Sequence, residues 1–160
     1  MSLNENEVKL LDNVEKHGWH CMGVFDPEGN DPSFAYSVGF SKSLNKPEFI
    51  VFGLEHELMS HMLWEVYHQL KAGAVPSDGM RWQGLLEGFD CISKKANHPI
   101  LFKEYAISAN WLWKHQERDG YPDVYQIVWP GAQQGLFPWE NDCNLYVVEQ
   151  QPALWLNSPS

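Results

Sequence analysis

Residues 34–54, FAYSVGFSKSLNKPEFIVFGL, constrain the fold more than any other stretch of the chain. Two apolar, β-rich runs flank a turn-rich break from Gly39 to Pro47, the pattern of two strands joined by a loop. In the first run Phe34, Tyr36, Val38 and Phe40 recur at period two. In the second, Phe49, Val51 and Gly53 alternate with Ile50, Phe52 and Leu54, so both of its faces are apolar. A strand apolar on both faces belongs in the middle of a sheet that is covered on both sides.

The flanking segments suit that sheet. Asn4 to His17 reads as a short helix with Val8, Leu11 and Val14 on one face and Gly18 as its stop. Trp19 to Phe25 reads as a strand, closed by the turn cluster Asp26-Pro27-Glu28-Gly29-Asn30-Asp31-Pro32. Glu55 to Ala72 carries Met59, Met62, Leu63, Val66 and Leu70, the stripe of a helix laid on a sheet. A loop is expected through Pro76 to Gly79, then a half-exposed strand over Phe89 to Ala96. Pro99 suits the first turn of a helix reaching about Arg118, with Asn97 or His98 near its cap. Val124 to Trp129 and Leu145 to Glu149 read as strands, separated by the Gly/Pro/aromatic loop Pro130 to Trp139. Strands are grouped rather than alternating with helices. The expected class is α+β, one globular domain over residues 1–160, with a mainly antiparallel sheet of five to six strands and two to three packed helices.

The chain of 160 residues is 44% hydrophobic and carries eight Trp, ample for a packed core. Its formal net charge is −10 and its densest basic run is Lys94-Lys95, so it lacks the stripe of cations that nucleic acid requires. A partner would be basic or neutral. Cys21, Cys91 and Cys143 are odd in number and far apart, which suits free thiols in a reducing compartment. The N-terminal stretch is acidic and polar rather than signal-like, and no apolar run approaches the roughly 20 residues of a membrane span. The protein is expected in the cytoplasm, without a membrane or a cofactor.

The phrases GWHCMGV, FAYSVGF, KPEFIVFGL, YQIVWPG, GLFPWE and QPAL, in this order, resemble the bacterial domain-of-unknown-function family numbered 4262. The resemblance runs from about Gly18 to Leu154. In the family pattern a His often precedes the Pro-Glu dipeptide, where this chain has Lys46. An Asp often follows Trp-Pro, where this chain has Gly131. Both departures remove polar groups, which weakens any catalytic role carried over from relatives and favours binding.

Catalytic and metal motifs are poorly served. His56 and His61 are five apart, not the four of HExxH, and Glu57, His61 and Glu65 read more simply as a solvated ladder on one helix face. Asp26, Glu28, Asn30 and Asp31 fail the EF-hand register and read as a turn with Asx hydrogen bonds. His20 and Cys21 are strand neighbours whose side chains point to opposite faces. Ser37 lacks the GxSxG elbow, and neither a P-loop nor GxGxxG is present. No metal site is expected.

The loop Pro130 to Glu140 is different. Two prolines and two glycines stiffen it, and aromatic side chains on a stiff loop make good anchors for a partner. The expected binding residues are Trp129, Phe137, Trp139 and Glu140, with Tyr36 and Glu48. The expected function is non-catalytic binding of a basic protein partner, of which an immunity- or antitoxin-like role is one form. The alternative is a small enzyme whose site is assembled in a cleft from distant residues such as Tyr36, Glu48, His98 and Trp139.

Overall fold

A computed structural model describes residues 2–156. Helix α1, Glu5–His17, begins on a capping box in which the Asn4 side chain accepts from the Glu7 N–H and the Glu7 carboxylate accepts from the Asn4 N–H. It stops at Gly18, whose left-handed backbone returns its N–H to the Val14 carbonyl. Its buried residues are Leu10 and Val14. Val8 is largely exposed, so the expected Val8–Leu11–Val14 stripe is rotated by part of a turn.

Strands β1 (His20–Val24), β2 (Phe34–Val38) and β3 (Glu48–Phe52) form an antiparallel run, and a four-residue helix α2 (Phe40–Ser43) sits in the β2–β3 connection. The long helix α3, His56–Lys71, follows, then β4 (Met80–Leu86), β5 (Phe89–Lys95), a π-helix (Leu101–Tyr105) and α4 (Ile107–His115). The described chain continues with β6 (Val124–Val128) and α5 (Leu145–Glu149). The sheet has six strands in the order β1-β2-β3-β6-β5-β4. β3 and β6 pair parallel and every other pair is antiparallel. The fold is therefore α+β, mostly antiparallel, built on one mixed sheet.

The two apolar faces of β3 explain its central place. Phe49 and Val51 join Ala35 and Ile127 beneath α3, against Met59, Met62, Leu63 and Val66. Ile50 and Phe52 face the other way with Phe34, Tyr36 and Val38, against α1, the π-helix and α4. Every residue of β2 and β3 is buried. Burying each such side chain is worth roughly 1.5–3 kcal/mol, so this pair of strands carries much of the folding free energy.

Four local readings of the sequence are corrected. Leu145–Glu149 is a helix, not a strand: the Asn144 side chain caps it by accepting from the Tyr146 N–H, and only Val147 reaches the core. The expected helix from Pro99 to Arg118 is two pieces. Ala106, with φ −84° and ψ 49°, separates the π-helix from α4, and the Tyr36 hydroxyl accepts from the Ser108 N–H in the first turn of α4. β4 was not expected as a strand. Its inward residues Trp82 and Leu85 are three apart, because the pairing shifts register between Trp82 and Leu86 and Gly84 has a positive φ. α2 replaces part of the expected loop from Gly39 to Pro47.

Candidate functional site

The geometry at the start of β3 is dominated by Glu48. Its carboxylate is buried and accepts five hydrogen bonds, from the Gly39, Phe40 and Ser41 N–H groups and from the Ser37 and Ser41 hydroxyls, at 2.8–3.2 Å. Ser37 Oγ in turn accepts from the Phe49 N–H. Burial pushes the Glu48 carboxyl above the ordinary carboxylate range, while the surrounding donors pull it back down. Gly39 has φ 118°, and a Cβ there would stand 3.1 Å from the Trp19 backbone, so only glycine suits the bend that aims three N–H groups at one carboxylate. Glu48 thus closes the β2–β3 turn, and its oxygens are committed to the fold.

The opposite end of the sheet is built for contact. β3 and β6 run parallel, so both finish there, at Phe52 and Val128. Three connections meet at this end: Gly53 to Glu55, the loop from Trp129 to Asn144, and the segment from Gln150 to Leu154. They are bolted together by amide groups. Gln151 accepts from the Trp129 N–H and donates to the Trp129 carbonyl, both at 2.9 Å. Gln126 donates to the Pro152 carbonyl at 2.7 Å and accepts from the Leu154 N–H at 3.2 Å. The Trp129 indole donates to the Phe52 carbonyl at 2.7 Å. Gly53, at φ 80°, lies so close to Gln150 that a Cβ would meet its carbonyl oxygen at 2.8 Å.

The loop itself is pinned from within. The Gly131 and Leu136 backbones are joined at 2.9 Å, and the Gly135 N–H donates to the Gly131 carbonyl at 2.7 Å. Glu140 Oε1 accepts from the Phe137 N–H at 3.0 Å, and the Glu140 N–H donates to the Phe137 carbonyl at 2.9 Å. Gln134 ties the loop to the entry of α5 by donating to the Asp142 carbonyl and accepting from the Asn144 N–H, each at 2.9 Å. On this frame Trp139 is 44% exposed. Its ring stacks on buried Phe137 at 5.2 Å with an interplanar angle of 3°, and Trp155 meets it edge-on at 5.6 Å. Lys94 Nζ lies 5.6 Å from the Trp139 ring centre, and the Arg81 guanidinium 5.8 Å from that of Phe137.

The structure brings Phe137, Trp139 and Glu140 together on the face of Ile92 and Val128, and buries Trp129, 6% exposed, as a strut in the core under α3 on the other face of the sheet. Tyr36 lies elsewhere, inside the α1/α4 face of the sheet, 2% exposed, where burial raises its phenol. Glu48 is at the far end of β3. His98 lines a separate cavity of about 440 Å³ with Phe102, Asn110 and Tyr121. Among the described residues no group of three or more His, Cys, Asp or Glu is placed to hold a metal ion, and no helix is long and apolar enough to cross a membrane.

The sheet end also holds two clefts. One, of about 380 Å³, lies between Gly53, Trp129, Gln133, Asn144 and Tyr146. The other, of about 500 Å³, lies on the opposite face of the sheet, between the β1–β2 turn, the π-helix and Pro152. The second was missed by sequence reading because its walls come from segments about 70 residues apart; the only local signal was an acidic turn beside an exposed Phe25.

The family model described as a domain of unknown function, DUF4262, matches residues 13–144. The chain belongs to this family. No curated protein and no solved structure shows significant similarity to it. The DUF4262 match ends where α5 begins, so the helix that braces the aromatic loop from below lies beyond it. Gly131 is packed by that helix: a Cβ on it would stand 3.0 Å from Val147 Cγ2, so a larger residue there requires the Val147 side chain to give by a few tenths of an ångström.

Proposed function

We propose that this DUF4262 chain is a non-catalytic binding protein of the cytoplasm that engages a basic protein partner through the sheet end carrying Trp139. The observation that carries this reading is the setting of Trp139. A large ring is held half-exposed on a loop whose backbone is already fixed by internal hydrogen bonds, so docking costs little ordering entropy. Trp155, edge-on to it, extends the aromatic surface around it. A half-buried Trp ringed by weaker apolar contacts is the usual composition of an interface hot spot. The net charge of −10 supplies long-range attraction for a basic partner, and Lys94 and Arg81 beside the rings would direct its acidic or apolar residues to the anchor itself. An immunity- or antitoxin-like role is the concrete form this takes.

The test is affinity capture from cells that make the chain, followed by reconstitution of the pair from purified components. Trp139→Ala is expected to weaken the reconstituted pair by about thirtyfold or more, the equivalent of about 2 kcal/mol. Its unfolding free energy should fall by only about 1–2 kcal/mol, since the ring is half-exposed. Undiminished affinity, or a stability loss of the about 3–5 kcal/mol typical of a fully buried aromatic, overturns the reading.

A further inference from the structure

The cleft between the β1–β2 turn and the π-helix is an aromatic groove with an acidic rim. Its floor is Phe34, Phe52 and Tyr105, whose ring centres are each 5.2 Å from the other two. Phe34 is 7% exposed and Phe52 1%, so the floor is fixed by the core behind it. Phe25, 72% exposed, stands at its mouth with no packing role that accounts for a ring there. Asp26, Asp31 and Glu104 line the rim. Neither ion pair found among the described residues involves any of them.

We propose that this groove takes a lysine or arginine side chain from the basic protein partner, the Phe25 and Tyr105 rings flanking its alkyl stem and the Asp31 and Glu104 carboxylates receiving its charge. The inference rests on the binding function proposed above and names a second contact for it. The two surfaces share one end of the sheet: Phe52 ends in the groove, Gly53 begins the cleft beside Trp129, and Pro152 lines the groove next to the Gln151 that clamps Trp129.

Three independent features favour a long organic cation. The volume of about 500 Å³ is far more than an ion needs and suits a whole side chain. The carboxylates are spread around the mouth and do not converge into a group able to hold a metal ion, whereas a guanidinium or ammonium on a flexible stem can reach between them. The accessible rings Phe25 and Tyr105 beside carboxylates favour such cations by cation–π attraction as well as by charge. The local construction is consistent with a working site. Glu104 and Tyr105 are delivered by a π-helix, a rare element concentrated at functional positions. Asp26 shapes the turn: its oxygens accept from the Glu28, Asn30 and Asp31 N–H groups, which set its carboxyl below the usual range and leave Asp31 and Glu104 as the open acceptors. The Tyr105 hydroxyl feels burial first and then both Glu104 and Asp31, which raise it together and so report that the two negative charges focus on this spot.

The experiment is an amide-resolved NMR titration of the full chain with three probes: the blocked peptide Gly-Ser-Arg-Lys-Arg-Ser-Gly, its Glu-for-Lys/Arg counterpart, and spermidine. The basic peptide should give saturable shifts confined to residues 24–34, 52 and 104–106. The acidic peptide should give none there. In Asp31→Asn/Glu104→Gln, whose substituted side chains are both exposed, the apparent affinity should drop by about fivefold or more, as removal of two ion pairs requires. Lys42→Ala, at an exposed position on α2 at the opposite end of the sheet, should leave it unchanged. Absence of saturable shifts at these residues, equal shifts from the acidic peptide, or undiminished affinity in the double variant overturns the assignment. Spermidine binding there as tightly as the peptide also overturns it, in favour of a free polyamine. Because the titration does not depend on Trp139, its failure leaves the partner-capture result standing, and a failed capture leaves the titration standing.

Discussion

Replacing Glu48 by Gln probes the chemistry that closes the β2–β3 turn, and its cost follows from counting donors. Glu48 Oε1 accepts from the Phe40 N–H and the Ser37 hydroxyl; Oε2 accepts from the Gly39 N–H, the Ser41 N–H and the Ser41 hydroxyl. A carboxamide replaces one acceptor with an NH2 group. If the NH2 takes the Oε2 position, two backbone N–H groups face a donor; if it takes the Oε1 position, only Phe40 does. The Ser37 hydroxyl can rotate to accept, but a backbone N–H cannot. The cheaper orientation still orphans one buried N–H, at about 1–3 kcal/mol, and replaces charge-assisted bonds with neutral ones about half as strong. The expected destabilisation is about 2–4 kcal/mol for Glu48→Gln. It should exceed about 5 kcal/mol for Glu48→Ala, which orphans all three N–H groups and leaves a cavity. Urea unfolding at neutral pH, followed by tryptophan fluorescence and far-ultraviolet circular dichroism, measures both. A Gln variant within about 0.5 kcal/mol of the natural chain would show that the turn does not depend on this carboxylate, and the donor count would be refuted.

Two further outcomes follow from the core. Val51→Asp places an unpaired carboxylate at a fully buried position beneath α3, so it should cost more than about 4 kcal/mol and leave little folded protein; a cooperative transition at the natural midpoint would contradict the packing. Burial, with Asp90 adding to it, pushes the Cys91 thiol up to about 12. The folded state therefore holds its proton where the unfolded chain, near 8.5, releases it. The contribution is intact below about pH 8.5 and is lost as pH rises towards the folded value, about 2 kcal/mol by pH 10. Unfolding free energies of the natural chain and Cys91→Ala across that range should converge; parallel curves would contradict the burial.

The parts of this fold legible in the sequence were those where one pattern had one cause. The two-faced apolar run of Phe49 to Leu54 could only be a central strand, and the stripe from Met59 to Leu70 could only be a helix on that sheet. Other elements were hidden by tertiary effects. β4 lost its period-two signature to the irregularity between Trp82 and Leu86. Leu145–Glu149 has the β-branched, aromatic composition of a strand, yet its place beneath the loop and the Asn144 cap make it a helix. The Phe34–Phe52–Tyr105 groove was out of reach, because it needs β2, β3 and the π-helix in one place. Glu48 could be singled out as a lone charge at the head of an apolar strand, but its five donors, which show it to be structural, depend on how the Gly39 turn bends. Around the Pro130–Glu140 loop, the sequence could not tell Trp129, a buried strut just before it, from Trp139, which reaches solvent.

The proposed docking surface for a basic protein is the end of the sheet where β3 and β6 finish. The most direct measurement installs a photo-crosslinking residue at exposed Gln133, in the cleft beside Trp129, or at exposed Lys42 on α2 at the opposite end, and irradiates cells making each variant. A discrete adduct is expected from Gln133 with one protein of basic isoelectric point, and none from Lys42. No discrete adduct at Gln133, the same adduct from both positions, or a partner that is acidic would contradict it.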